Sequence, residues 1–265
     1  MQAAVLGSPI KHSLSPRLHK AAYQYLGIAG EYTSINVDSD QLIDFFAVNE
    51  SSFDYFSLTM PLKEIACTLP VIYDDLPILI NSANTLIKRD TRWSLHSTDG
   101  SGFLAAIEHA GLSSIGSTLI LGSGGTARAI AQSLDNRSER IDVIARAANR
   151  RASIESTIKF AEFDFISWND SVDFNDYDLI VNTTPAGAAD LMAEKVPAKT
   201  SGMLFDVLYK PWPTVLARKW SDCGGTVING LELLIYQGVD QISLVLDREL
   251  DKEALAIHLR KTLKV

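Results

Sequence analysis

Two stretches of this sequence pair residue type with spacing in a way that would hold phosphate. Gly122-x-Gly124-x-x-Ala127 directly follows the apolar run Thr118-Leu119-Ile120-Leu121 and opens a helical pattern. In that setting Gly122 permits a tight turn and Gly124 lets a pyrophosphate approach the backbone. Ala127 lets helix and strand pack closely. The amides from Gly122 through Ser123, Gly124, Gly125, Thr126 and Ala127 would supply the donors. The second stretch lies one strand further on. Ile141-Asp142-Val143-Ile144-Ala145 ends in Arg146, with Arg150 and Arg151 following. An NAD site usually places an acid at such a strand end, and Asp142 sits at its start instead. Arginine can grip a 2′-phosphate through a charge-assisted fork. The pattern therefore predicts a dinucleotide loop that takes NADP in preference to NAD.

Four further polar groupings precede residue 101. They are Gly7-Ser8-Pro9 through His12-Ser13-Leu14-Ser15-Pro16, Ser57-Leu58-Thr59-Met60-Pro61-Leu62-Lys63, Asn81-Ser82-Ala83-Asn84-Thr85, and Ser97-Thr98-Asp99-Gly100. Two hydroxyls ahead of a helix make a carboxylate site. A lysine beyond a strand end stands where α/β sheets bind ligands. Each grouping is also met by an ordinary turn, a solvated lysine or a helix cap, and spacing alone does not choose.

The elements that must position these residues alternate along the chain. Ala3–Leu6 predicts a short strand. Ser15 is predicted as the N-cap of a helix with Pro16 at its first position and Gly27 just past its end. A strand follows over Glu31–Val37 and a helix over Gln41–Val48. Tyr55–Thr59 alternates with period two. Ser82–Ile87 and Trp93–His96 form a hairpin-like pair, and a helix runs from about Ser101 to His109. After Thr118–Leu121, helical periodicity continues to about Leu134. Strands are predicted at Ile141–Ala145, Leu179–Val181 and Met203–Val207. One or two amphipathic helices occupy the stretch from Leu231. This alternation predicts an α/β protein with mostly parallel sheet.

Composition narrows the class. The 265 residues are 46% hydrophobic and 21% charged, a globular balance. With 24 Lys and Arg against 32 Asp and Glu, the net charge of -8 repels nucleic-acid backbones and anionic lipid. No apolar run approaches the ~20 residues of a bilayer span, and the start lacks the pattern of a signal peptide. Cys67 and Cys223 are lone residues, which fits a reducing cytoplasm.

Taken in order, the motifs resemble the shikimate dehydrogenase family. G-x-P-x-x-H-S-x-S-P-x-x-H is met by Gly7, Pro9, His12, Ser13, Ser15, Pro16 and His19. [NS]-x-T-x-P-x-K is met by Ser57, Thr59, Pro61 and Lys63. N-T-L is Asn84-Thr85-Leu86, and N-T-D-G appears as Ser97-Thr98-Asp99-Gly100. G-x-G-G-x-x-R is Gly122 to Arg128. N-x-T-P-x-G is Asn182, Thr184, Pro185 and Gly187. D-x-x-Y-x-P-x-x-T is Asp206, Tyr209, Pro211 and Thr214, and G-x-x-x-L-x-x-Q is Gly230, Leu234 and Gln237. The match covers nearly the whole chain.

The resemblance implies reversible NADPH-dependent reduction of 3-dehydroshikimate to shikimate, with Lys63 and Asp99 as the acid/base pair and no metal. By the same carry-over Ser13 and Ser15 would bind the substrate carboxylate, with Tyr209 near it. Thr59, Asn84, Asp99 and Gln237 would bind ring hydroxyls. Gly122 to Ala127 would hold the pyrophosphate, Arg146 and Arg150 the 2′-phosphate, with Gly230 near the nicotinamide and Thr183 on the cofactor side. The implied architecture is a substrate domain over residues 1–100, rejoined by helices over 238–265, and a Rossmann-type NADP-binding domain over 101–237. A monomer or homodimer is expected. Quinate or an amino analogue with relaxed NAD use, or a non-catalytic sensing homologue, are the competing readings. Three positions depart from the family pattern. Ser97 stands where Asn is frequent, which would loosen the hold on the Asp99 loop. Ala145-Arg146-Ala147-Ala148-Asn149-Arg150 lacks the Asn and Thr of N-R-T-x-x-[RK]. Lys20 replaces a usual Asn.

Overall fold

Short apolar runs bounded by glycine, proline or a capping residue form the inner strands here, which are buried on both faces. The first is β1 (Gln2–Gly7), in which residues 3–7 are all buried. The structure, a computed structural model, describes residues 1–112 and 114–264. Their contacts divide the chain into two units, Met1–Gly102 with Leu234–Val265, and Phe103–Leu233. The second crossing point thus falls four residues ahead of position 238, and Gln237 belongs to the first unit.

In the first unit β1 pairs with β2 (Glu31–Asn36) and β3 (Tyr55–Leu58), both parallel. The short β4 (Ile72–Tyr73) lies at the far edge. β5 (Thr85–Arg89) and β6 (Arg92–His96) complete the order β2-β1-β3-β5-β6-β4. This sheet is mixed: β5 pairs antiparallel with β3 and β6, as the hairpin-like reading expects, while the remaining pairings in both sheets are parallel, in keeping with the mostly parallel reading. Only two residues, Asp90 and Thr91, join β5 to β6, and so short a link permits only an antiparallel pair. Helices α1 (Ser15–Leu26), α2 (Leu42–Asn49), α3 (Leu62–Ile65) and α4 (Asp75–Ile80) follow in chain order. Gly27 closes α1 in the left-handed region (φ 67°), as read from sequence. Ser15, however, is not the cap. It is the first helical residue, Leu14 occupies the cap position without a side-chain bond, and Ser13 Oγ accepts the Ser15 amide at 3.3 Å. Pro16 fixes the helical φ one residue later than expected, so Ser15 is drawn into the first turn.

The second unit is built on β7 (Ile115–Leu121), β8 (Ser138–Ala145), β9 (Glu162–Ser167), β10 (Leu179–Asn182), β11 (Met203–Asp206) and β12 (Thr226–Asn229). Their order, β12-β11-β10-β7-β8-β9, is parallel throughout and reverses direction of growth between β7 and β10. That is the doubly wound dinucleotide-binding topology, with ligands expected outside the carboxyl ends at the reversal. The sequence reading omitted β9 and β12. Both are edge strands, where polar residues such as Glu162, Asp164 and Thr226 dilute the apolar signal. Helix α5 (Asp99–His109) begins at Asp99 itself, two residues before the expected start. α6 (Gly125–Leu134), α7 (Arg151–Glu155) and α8 (Val215–Asp222) follow the strands, and α9 (Gly230–Leu246) and α10 (Lys252–Leu263) close the chain. No helix among the described residues is long and apolar enough to cross a membrane.

A polar knot lies buried in the first unit. The His19 ring stacks on Tyr32 with centroids 4.0 Å apart, and its Nδ1 lies 2.8 Å from the Tyr55 hydroxyl, which in turn bonds the Tyr23 hydroxyl. His19, one of the motif histidines, is thus a core residue. Burial lowers its pKa from 6.5 to about 3, only partly opposed by the Gln241 amide. The folded chain therefore resists a proton that the unfolded chain accepts. Its contribution to stability is intact above pH 6.5 and lost as pH falls toward 3. Urea unfolding should show this as an acid-side slope of about 1.4 kcal/mol per pH unit from this residue. His19→Gln should remove that part of the slope; an unchanged slope would contradict a neutral buried ring.

Candidate functional site

Lys63 is brought into place by β3. After Leu58 the chain turns through Thr59, Met60 and Pro61 into α3, so Lys63 stands one turn beyond a strand end. The turn passes close to β1. A Cβ on Gly7 would lie 2.5 Å from Thr59 Cγ2 and 2.8 Å from Met60 O, so only glycine fits there. Asp99 arrives from the opposite direction, at the start of α5 after β6.

The two side chains meet. Lys63 Nζ donates to Asp99 Oδ2 at 2.5 Å, with 19% and 4% of the respective side chains exposed. Asn84, just before β5, fixes the other carboxylate oxygen, with Nδ2 donating to Asp99 Oδ1 at 2.9 Å. The same amide group lies 2.9 Å from Thr98 Oγ1 and 3.2 Å from Gln237 Oε1. Its Oδ1 accepts the Thr98 amide at 2.9 Å and the Thr85 hydroxyl at 2.8 Å. Hydrogen bonds thus join Lys63, Asn84, Asp99 and Gln237 into one cluster within the first unit. An ion pair so little exposed persists because every partner is itself bonded.

Thr98, which the sequence leaves open between a helix cap and a site role, is a hub of this cluster. Its hydroxyl donates to the Gln237 carbonyl oxygen at 3.0 Å and so ties the Asp99 loop to α9. This anchoring answers the expected looseness at Ser97, whose buried hydroxyl has no partner. Gln241, one helical turn after Gln237, was also missed. Its Nε2 donates to the Asn84 carbonyl oxygen at 3.0 Å, and its Oε1 accepts from Ser57 Oγ at 2.7 Å. The i, i+4 spacing of two glutamines on one helix was the available signal. Ser13 and Ser15 pair with each other at the head of α1, and Thr59 packs against Gly7.

In the second unit the Gly122 loop sits at the strand-order reversal. Gly122 has φ +107°, and a Cβ on it would lie 2.6 Å from Thr183 Oγ1 at the end of the neighbouring β10. Gly124 caps α6 without any side-chain bond, and a Cβ there would meet nothing within 4 Å. The intrahelical ladder starts with the Arg128 amide and Gly124 O. Open space above an uncapped helix N-terminus suits an anionic group. Arg128, buried within α6, donates to Ser123 O at 3.2 Å and braces the loop from behind. The spacing G-x-G-G-x-x-R marked it, but its role was not read. Gly122→Ala is expected to weaken dinucleotide binding at least about tenfold by strain and collision with Thr183. Calorimetric titration would show it, and an unchanged affinity would remove this loop from the cofactor site.

Arg146 leaves the end of β8 exposed to solvent, and Arg150 occupies the N-cap position of the short α7 beyond. Asp142 is buried and accepts from the Tyr177 hydroxyl at 2.6 Å, so it is structural. Tyr209 sits on a loop whose two ends are held by one carboxylate. Asp206 accepts from the Leu208 amide (3.1 Å), Asn182 Nδ2 (3.1 Å) and the Thr214 hydroxyl (2.7 Å). Burial raises the pKa of Asp206, with those three donors opposing the shift. Gly230 is a point of closest approach, since a Cβ there would lie 2.0 Å from Val207 O.

Residues 5–86 match the family described as the shikimate dehydrogenase substrate binding domain. A curated relative from Exiguobacterium, a shikimate dehydrogenase (NADP(+)), is 31% identical over 244 residues, 90% of either chain. The chain belongs to the shikimate dehydrogenase family. Among solved structures, Mycobacterium tuberculosis shikimate dehydrogenase superposes with a TM-score of 0.86 at 32% identity, covering 98% of this chain and 99% of that one. The Thermus thermophilus shikimate 5-dehydrogenase in complex with NADP(H) and shikimate superposes at 0.84 with 27% identity, covering 99% of each. Membership and the two-part α/β fold of the shikimate dehydrogenase family agree with the motif reading.

Proposed function

We propose that the chain interconverts 3-dehydroshikimate and shikimate with NADP(H), using Lys63 and Asp99 as the acid/base pair. The observation that carries this is the 2.5 Å Lys63–Asp99 contact, held on its far side by Asn84, in a chain of this family. Both carboxylate oxygens of Asp99 already accept from protein donors, so Asp99 serves as the anchor. Lys63 Nζ is the group that acts at the substrate oxygen. Its ammonium stabilises negative charge developing on that oxygen and delivers a proton to it, and the reverse reaction takes the proton back.

Ser13, Ser15, Thr59 and Gln237, with the pair itself and Asn84, are the proposed substrate contacts: hydroxyls at a helix head for a carboxylate, amides and Asp99 for ring hydroxyls. The Gly122–Ala127 loop fits a pyrophosphate, given the open space over Gly124, and Thr183 and Gly230 line the same carboxyl end of the parallel sheet. Arg146 and Arg150 are the proposed 2′-phosphate contacts. When bound, NADPH supplies the hydride.

The test is product analysis. The purified chain with 3-dehydroshikimate and NADPH should yield shikimate, identified by NMR, with one NADPH consumed per product. Binding of both without product would favour a sensing protein and overturn the catalytic reading.

A further inference from the structure

We propose that Trp168 is a positioning residue that holds Arg146 for the 2′-phosphate of NADP(H), and so sets preference over NAD(H). This rests on the cofactor reading above. β8 and β9 run parallel with Ala145 opposite Ser167, so the next residues, Arg146 and Trp168, leave the two strands side by side. The Arg146 guanidinium carbon lies 5.8 Å from the centroid of the Trp168 ring, within cation–π range. Trp168 is itself half-buried and packs against the apolar cluster around Leu119, Ile144 and Ile180, so the platform is fixed.

Arg146 makes no hydrogen bond or ion pair among the described residues; the ring face is its one interaction. A guanidinium on an aromatic face keeps its in-plane N–H fork available for phosphate. Arg151 makes the contrast. It contacts Glu155 at 3.5 Å and Asp164 at 4.0 Å, so its charge is already met by carboxylates. Ala145 and Ala147 flank Arg146 and offer no polar side chain to steady it. An exposed arginine with four rotatable bonds loses entropy on binding, and an aromatic shelf lowers that loss.

Calorimetric titration of the full chain with NADPH and with NADH tests this. Trp168→Leu keeps an apolar side chain against the cluster and removes the π face. It should weaken NADPH binding about two- to fivefold, the size of an exposed cation–π contact, and leave NADH unchanged. Trp168→Phe should recover most of the loss. In an Arg146→Ala background Trp168→Leu should cost nothing further. Equal weakening of both cofactors, an unaltered NADPH-to-NADH ratio, or full loss without Arg146 would overturn the role of Trp168. A wild-type chain that binds NADH as tightly as NADPH would overturn the cofactor reading, and the proposal with it.

Discussion

Lys63→Ala is expected to lower kcat with shikimate and NADP⁺ by about 10²–10⁴-fold, the usual worth of a positioned acid or base. NADP⁺ affinity should stay within about twofold, because the Gly122 loop belongs to the other unit. The expected damage has two parts. The substrate oxygen loses its proton partner, and Asp99 is left as a 4% exposed carboxylate with only Asn84 bonded to it. The second part should appear as lower thermal stability, since an uncompensated buried charge is costly. Steady-state rates with a thermal melt separate the two. A variant that melts normally and turns over at the wild-type rate would remove Lys63 from the reaction.

Asp99→Asn is expected to be nearly as damaging for a different reason. Both partners of Asp99 are donors, Lys63 Nζ and Asn84 Nδ2. A carboxylate accepts from both. An amide has one acceptor oxygen and must turn its NH₂ toward the other donor, leaving a buried clash worth about 1–3 kcal/mol. Lys63 also loses the charge that holds it. A kcat decrease of roughly 10²-fold or more is expected. Since the two residues act as one device, Lys63→Ala/Asp99→Asn should be little worse than the slower single variant. Kinetics of all three would check this, and fully multiplicative losses would show two independent roles.

Much of the fold was legible because each unit repeats a simple rule. The run Thr118–Leu121 followed by Gly122 to Ala127 could only be a strand feeding a helix, and Gly27 closed α1 as its lack of a side chain requires. What was not legible was set by distant partners. Whether Ser15 caps α1 depended on Pro16 and Ser13 together. The edge strand β9 alternates Phe163 and Phe165 with Glu162 and Asp164, a period-two signal that was there to be read, whereas β12 spans only four residues. At the candidate site, motif order located Lys63 and Asp99 but not what steadies them. Spacing left Thr98 open between a cap and a site role, and Gln241 lay within an amphipathic stretch with no motif to mark it. Their bonds to the Gln237 carbonyl oxygen and the Asn84 carbonyl oxygen span 139 and 157 positions. Trp168 carried no signal at all, since its partner lies on the neighbouring strand.

The most direct single measurement is the initial rate of nicotinamide reduction by the purified wild-type chain, with shikimate or quinate against NADP⁺ or NAD⁺. Shikimate with NADP⁺ is expected to be the fastest of the four pairings. Turnover confined to quinate or to NAD⁺, or no turnover in any pairing by folded protein, would contradict the proposed reaction.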